Sequence, residues 1–328
     1  MSLKSLIKPI TLMGANASGK TEVALALAAI TNGEIISADS KQVYKHLSAG
    51  TAKPAGAWAE TAGQSVYLVS GVPYHLVDII DPRSSYDAAA FVLAARQKID
   101  EIKARGKTPI IAGGTGMYIQ ALWNGLDPLP AADPALRTEL AAKAELDGKE
   151  ALHSVLKELD PKAAGLIPAG NIQRVIRAIE ITKLAGRPVS EIWSGRFFDA
   201  LPAHLGTFIF FHWKKELLNE RIKQRTITRF DEWNEETKNL LELGYPEDAP
   251  GLKSLGYPQV LDFRSNRLTR AEAIHSITML SMSYAKRQNT WFSRYKNARR
   301  LDLENFSDYE PEKIAASIME GAGRGIEE

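Results

Sequence analysis

The chain has 328 residues, 45% of them hydrophobic, with a formal net charge of +2. That is enough for a substantial core in one large domain or two smaller ones. The absence of cysteine excludes disulfides and thiolate metal sites and fits a reducing compartment. No apolar run approaches bilayer-spanning length, and the opening M-S-L-K-S-L-I-K is too short and polar for a secretory signal. The expectation is a cytoplasmic protein with no membrane partner.

An apolar run from Ile7 to Met13 predicts a strand, and an Ala/Leu-rich stretch from Lys20 to Ile30 predicts a helix. Between them lie Gly14, Ala15, Asn16, Ala17, Ser18, Gly19, Lys20 and Thr21, which fit the template Gly, four residues, Gly-Lys-Thr. Glycines at 14 and 19 let the backbone curl until successive N–H groups point inward. The helix N-terminus adds partial positive charge and Lys20 a full one, so adjacent phosphates would be well held. Thr21 supplies the hydroxyl that ligates a bridging Mg2+ in such loops. An incidental glycine turn is the alternative, and strand and helix in register argue against it. The loop does not specify which phosphate compound is held.

Glu34 to Ser37 reads as a second strand ending on Ala38-Asp39-Ser40. The apolar segment Tyr74 to Ile80 reads as another, closed by Asp81-Pro82. A helix is predicted from Asp87 to Arg105, then a short strand from Thr108 to Ala112 ending in Gly113-Gly114-Thr115. This alternation predicts an α/β fold, a parallel sheet with helices on both faces. Ligands of such sheets lie beyond the carboxyl ends of the strands, which brings Gly14–Thr21, Asp39 with Ser40, and Thr115 to one edge.

The pattern changes near Gly125. Pro128, Pro130 and Pro134 punctuate a linker, and the chain then reads as helices to about Gly195. We expect a helical domain over 126–199 inserted into a sheet domain made of 1–125 and 200–305, followed by a C-terminal segment, 306–328, with a frayed tail from Gly321 to Glu328. Within the insert, Arg174 and Arg177 share a helix face ahead of Glu180, which on its own describes an exposed salt-bridged helix. Phe208 to Phe211 predicts a returning strand, and Lys214 to Phe230 a basic helix carrying Arg221, Arg225 and Arg229. From Ala273 to Leu301 there is no acidic residue, and Lys286, Arg287, Arg294, Lys296, Arg299 and Arg300 are interleaved with Tyr284, Trp291, Phe292 and Tyr295. Two readings of this stretch stand level: an RNA surface of cations and stacking rings, or a helix whose rings are core.

Seven motifs in order resemble the tRNA dimethylallyltransferases, also called tRNA isopentenyltransferases. They are G-A-N-A-S-G-K-T, I-S-A-D-S-K-Q-V-Y at 36–44, G-T-A-K-P at 50–54, Y-H-L-V-D-I-I-D-P at 74–82, A-G-G-T-G-M-Y at 112–118, Q-R-V-I-R-A-I-E at 173–180 and A-K-R-Q-N-T-W-F at 285–292. The resemblance implies a P-loop NTPase-like core with an inserted tRNA-binding domain. It also implies transfer of a dimethylallyl group from dimethylallyl diphosphate to the exocyclic amine of the adenine 3′-adjacent to the anticodon in tRNA. By the same resemblance, Asp39 is the general base, Ser40, Lys41 and Gln42 line the adenine pocket, Thr115 touches the reacting region and Arg225 steadies the diphosphate. Arg137, Gln173, Arg174, Val175, Ile176 and Arg177 contact the tRNA anticodon stem-loop. Mg2+ is the implied cofactor, and a monomer suffices.

The chemistry fits independently, since an allylic diphosphate ionises once its leaving group is stabilised and an aromatic amine must shed a proton as it bonds. An Asp at a strand end beside a phosphate loop is also how nucleotide hydrolases hold Mg2+, and Thr115 also suits the N-cap of a helix starting at Gly116. Departures from the family pattern are Ala15-Asn16, Lys253, Pro258, Met282, Ile172 and a long stretch from Ala55 to Pro73. The alternatives carried forward are prenyl transfer to free adenine nucleotides, a small-molecule kinase using the loop for ATP, and an RNA-binding protein without catalysis.

Overall fold

The computed structural model describes residues 7–61, 63–196, 199–306 and 310–323. The opening residues and most of the expected tail lie outside them. The chain divides into two compact units, Met1–Trp123 with Ala200–Glu328, and Asn124–Asp199.

The first unit is built on one eight-stranded sheet. Its strands are β1 (Ile10–Gly14), β2 (Gly33–Ser37), β3 (Ala57–Thr61), β4 (Gln64–Val69), β5 (Val72–His75), β6 (Thr108–Gly113), β7 (Thr207–His212) and β8 (Arg299–Asp302), in spatial order β3-β4-β5-β2-β6-β1-β7-β8. Strands β5 through β8 in that order run parallel. β1 lies between β6 and β7, with Ile10 opposite both Ile110 and Thr207. Every residue of β1 and β2 is buried, which is why neither shows apolar/polar alternation, although β2 carries the buried Glu34.

The segment 55–73, read only as a long stretch, forms an antiparallel hairpin of β3 and β4 that extends the sheet beyond β5, so the sheet is mixed and not wholly parallel. The expected strand from Tyr74 to Ile80 stops at His75. Leu76 and Asp78 adopt left-handed backbone at φ 58° and 56°, turning the chain into a loop pinned by Lys53, whose Nζ donates to Asp78 Oδ1 at 2.5 Å.

Helices α1 (Lys20–Thr31), α2 (Ala88–Ala104) and α3 (Gly116–Asn124) follow β1, the 74–87 loop and β6. Asp87 caps α2 by accepting the Ala90 N–H at 2.9 Å. The insert supplies α4 (Pro134–Asp147), α5 (Lys149–Leu159), α6 (Pro161–Leu166), α7 (Ile172–Ala185) and α8 (Val189–Ile192) around a core of its own that includes Leu140, Leu152, Leu156, Val175 and Ile179. Beyond it come α9 (Lys215–Glu242), α10 (Tyr257–Arg264), α11 (Arg270–Phe292), opened by a Thr269/Glu272 capping box, and α12 (Pro311–Gly323). α12 runs through Gly321, where the tail was expected to fray, and buries Ile314, Ala315 and Ile318 in the core shared with α1.

Several departures are packing features. Gly256 has φ 98°, and a Cβ there would lie 2.0 Å from Trp233. Pro258 follows in the first turn of α10, where its missing N–H costs nothing. Met282 packs against the core under β1, and Ile172 against the core of the insert. Among the described residues no helix is long and apolar enough to cross a membrane.

Candidate active site

A cavity of about 810 Å3 opens at the carboxyl ends of the strands, lined by the loop after β1, by Asp39 to Gln42, by Gly50 to Ala55, and by Arg221, Arg225, Arg229 and Tyr284. The loop curls as its glycine pattern demands, with Ala17 at φ 60° and Gly19 at φ 86°. Gly14 and Ala15 lie buried beneath it, and a Cβ on Gly14 would sit 2.9 Å from the Phe211 carbonyl oxygen. Carbonyls of the loop are tied from outside: Arg221 Nε donates to Ala17 O at 3.0 Å and Trp213 Nε1 to Ser18 O at 3.2 Å. Lys20 folds back, its Nζ donating to Ala15 O at 2.7 Å and Ser18 Oγ at 3.2 Å. Burial pushes this ammonium down to about 8, against the pull of Asp39 and with Arg225 adding to the depression.

The Asp39 carboxylate is fixed by its own turn, Oδ1 accepting the Lys41 N–H at 2.8 Å and the Gln42 N–H at 3.3 Å. Ser40 N–H donates to Thr115 Oγ1 at 3.0 Å, and the Thr115 N–H to Ala38 O at 3.2 Å, so the ends of β2 and β6 are stitched together. Gln42 Nε2 donates to the carbonyls of Thr51 and Ala52 at 3.4 and 3.1 Å, holding the G-T-A-K-P wall. Arg225 is half-buried with no ion pair among the described residues. Burial lowers its guanidinium, as does Arg229, while Asp39 and Glu22 offset part of that. The Tyr284 hydroxyl, raised to about 12 mainly by burial and further by Asp39, faces Thr115 and Gln288. The structure therefore brings Lys20, Thr21, Asp39 and Arg225 to one cavity, with Thr115 hydrogen-bonded at its wall.

A family model described as IPP transferase matches residues 42–295. The chain belongs to the IPP transferase family. Among its relatives, the tRNA dimethylallyltransferase of Elusimicrobium minutum is 46% identical over 89% of this chain and 94% of its own. The full-length tRNA isopentenylpyrophosphate transferase of Bacillus halodurans, a crystal structure, superposes with a TM-score of 0.62 at 34% identity, covering 96% of this chain and 98% of that one. A eukaryotic dimethylallyltransferase described as acting on tRNA shares the fold, with a TM-score of 0.74 at 23% identity, over 98% of this chain and 81% of its own.

Within the insert, Gln173 and Arg174 are exposed on α7. Val175 and Ile176 are not. At 0% and 6% exposure they belong to the apolar core of the insert, so their side chains hold the helix in place and do not face RNA. Arg137 and Arg177 converge on Glu180, fully buried, with Arg137 Nε at 3.0 Å and Arg177 Nη1 at 2.6 Å. Burial would raise the Glu180 carboxyl, but those hydrogen bonds and the Asp133 N–H hold it low. Both arginines thus have a structural duty, and the acid of the expected exposed salt bridge is interior. The basic aromatic stretch resolves similarly: Phe292 and Tyr295 are core and Trp291 is half-buried, while Lys286 and Arg287 are exposed on α11. Lys53, Tyr284 and Gln288 are site residues that spacing alone did not reveal. Lys53 and Gln288 sit inside the G-T-A-K-P and A-K-R-Q-N-T-W-F motifs, which were the available signal.

Proposed function

We propose that this chain transfers a dimethylallyl group from dimethylallyl diphosphate to the exocyclic amine of the adenine 3′-adjacent to the anticodon in tRNA, releasing diphosphate. The observation that carries the reading is the sharing of one cavity by a phosphate loop with Lys20 and Arg225 and a strand-end carboxylate, Asp39. The allylic C1–O bond breaks with its electron pair going to the diphosphate, whose growing charge Lys20, Arg225 and the loop N–H groups receive. The amine nitrogen bonds to C1, and the proton it sheds passes to the Asp39 carboxylate. Ser40 and Gln42 shape the wall beside that carboxylate, and Thr115 fixes the Ser40 backbone.

Mg2+ suits the oxygen donor the loop presents to the cavity, the Thr21 hydroxyl, to which a diphosphate would add its own oxygens. Thr21 is the residue that would hold it against the diphosphate, where it would supply charge neutralisation of the leaving group. Among the described residues, the one grouping of three metal-binding side chains, His212, Asp302 and Glu304, does not line the cavity.

Within the insert, Gln173 and Arg174 supply backbone contacts to RNA that offset the cost, about a few kcal/mol, of swinging a poorly stacked loop adenine outward. We infer that the protein works as a monomer in the cytoplasm, a reading supported by the invoked groups lying on one chain and by tRNA as the proposed substrate. The test is label transfer from radiolabelled dimethylallyl diphosphate by the purified protein with Mg2+, with an anticodon stem-loop and free AMP in parallel. Label on the stem-loop alone is the expected result. Label on AMP would move the acceptor to free nucleotides, and phosphate transfer from labelled ATP would favour a kinase.

A further inference from the structure

The phosphate loop and the Thr115 turn come from different strands, yet one side chain touches both. Gln288, on α11, is 6% exposed. Its Oε1 accepts the Asn16 N–H at 2.8 Å, and its Nε2 donates to Gly114 O at 2.8 Å. The same helix reaches the loop again through Ser281, whose carbonyl accepts Asn16 Nδ2 at 3.5 Å. It also lies hard against the turn. A Cβ on Gly114 would stand 2.3 Å from Gln288 Nε2, and one on Gly116 2.4 Å from Trp291, which accounts for the glycines flanking Thr115.

We propose that Gln288 is a positioning residue that locks the diphosphate-holding loop to the turn carrying Thr115. Following the hydrogen bonds gives an unbroken path: Asn16 to Gln288, Gln288 to Gly114, then Thr115 to Ser40, the residue next to Asp39. In the proposed reaction, on which this inference rests, the loop holds the leaving group and Asp39 receives the proton. Gln288 therefore sets the distance between the two ends of the reacting system. A misplacement of about 1 Å in such an arrangement costs on the order of 100-fold in rate. An amide suits the task because it offers one acceptor and a donor at once. Its hydrogen bonds go to the loop and the turn, and the Tyr284 hydroxyl faces it, so its effect runs through the groups it holds in place.

The experiment compares Gln288→Leu and Gln288→Glu with the native protein from pH 6 to 9. Gln288→Leu removes both hydrogen bonds, and we expect kcat/KM for transfer to the stem-loop to fall about 100-fold at every pH, with KM for dimethylallyl diphosphate up about 10-fold. Gln288→Glu discriminates. As the neutral acid, which burial favours, its O–H donates to Gly114 O and its carbonyl accepts the Asn16 N–H, reproducing the lock. Ionised, it is acceptor-only and faces the Gly114 carbonyl.

Its activity, divided by that of the native protein at the same pH to remove the shared titration of Lys20, should therefore be near native at pH 6 and approach the leucine variant by pH 9. A merely structural amide would lower the folded fraction without that pH-dependent rescue. A flat ratio in folded Gln288→Glu, or a KM and kcat within twofold of native in folded Gln288→Leu, overturns the proposal. Should the leucine variant not fold, the glutamate series decides alone. Calorimetric binding of inorganic diphosphate with Mg2+ separates the two claims, because a roughly tenfold weakening in Gln288→Leu supports the lock whether or not the native protein prenylates the stem-loop.

Discussion

The most quantitative consequence of the cavity concerns Lys20. Its ammonium is pushed down to about 8 by burial, and its hydrogen-bond partners in the free protein are the Ala15 carbonyl and the Ser18 hydroxyl, not an anion. A bound diphosphate places full negative charge beside it, which favours the protonated form and lifts its pKa clear of the working range. Binding then requires the charged form, which the free protein holds below pH 8 and loses above it. Affinity for inorganic diphosphate should fall by the factor by which free Lys20 deprotonates, about 30-fold between pH 7 and 9.5, or about 2 kcal/mol. Isothermal titration with Mg2+ across that range measures it, and Lys20→Met supplies the control because the titration of diphosphate itself is common to both proteins. The native advantage over Lys20→Met should be about 100-fold at pH 7, the worth of charge-assisted hydrogen bonds, and shrink to a few-fold at pH 9.5. An advantage constant across the range would refute the reasoning, since the ammonium would then be either untitrated or uninvolved.

Asp39→Ala should retain diphosphate affinity within about threefold while kcat falls at least 100-fold; diphosphate binding weakened in step with kcat would assign Asp39 to holding metal. Arg174→Ala should weaken binding of an anticodon stem-loop and lower its salt slope by about 1, leaving kcat at saturation intact. Unchanged affinity would remove Arg174 from the RNA interface. Arg177→Ala, by contrast, strips a buried carboxylate of one cation and should lower the melting temperature by several degrees, read by calorimetry.

Glu34 gives a stability test remote from the cavity. Burial would raise its carboxyl, but His75, Arg105 and Lys107 hold it down to about 2. A depressed carboxyl stabilises the fold above its unfolded value of 4.5 and loses that contribution as pH falls toward 2. About 2 kcal/mol should therefore vanish between pH 7 and pH 3 in urea unfolding, a loss absent from Glu34→Gln.

Most of the parallel part of the sheet was legible because β1, β6 and β7 are written as largely apolar runs, and the phosphate loop because its glycines have fixed offsets; the parallel strand β8 was not, since Arg299 and Arg300 lie exposed in it. The β3–β4 hairpin was not. β3 is an exposed edge strand, so its apolar Ala57, Trp58 and Ala59 mark no buried face that periodicity could pick out. The run from Tyr74 misled for the opposite reason: apolar residues at Leu76, Val77, Ile79 and Ile80 fill the core from a loop whose backbone turns left-handed. Helical spacing put Arg174 and Arg177 on a common face, but it could not tell that Arg177 leans on a buried acid while Arg174 points to water. Gln288 was invisible to periodicity because its partners, Asn16 and Gly114, lie far away in the chain.

The insert departs after Trp123 and rejoins at Ala200, and its own ends meet, the Asn124 side chain donating to the Asp199 carbonyl at 2.7 Å. For the growing chain this is a topological shortcut. β7 must find β1 across the whole insert, and a flexible tether of that length charges about 3 kcal/mol more in closure entropy than a tight turn. An insert that has already folded with its ends together removes most of that cost, so its helices act as a clasp during synthesis. Variants that loosen the Glu180 core should accordingly slow the assembly of a sheet to which they contribute no strand.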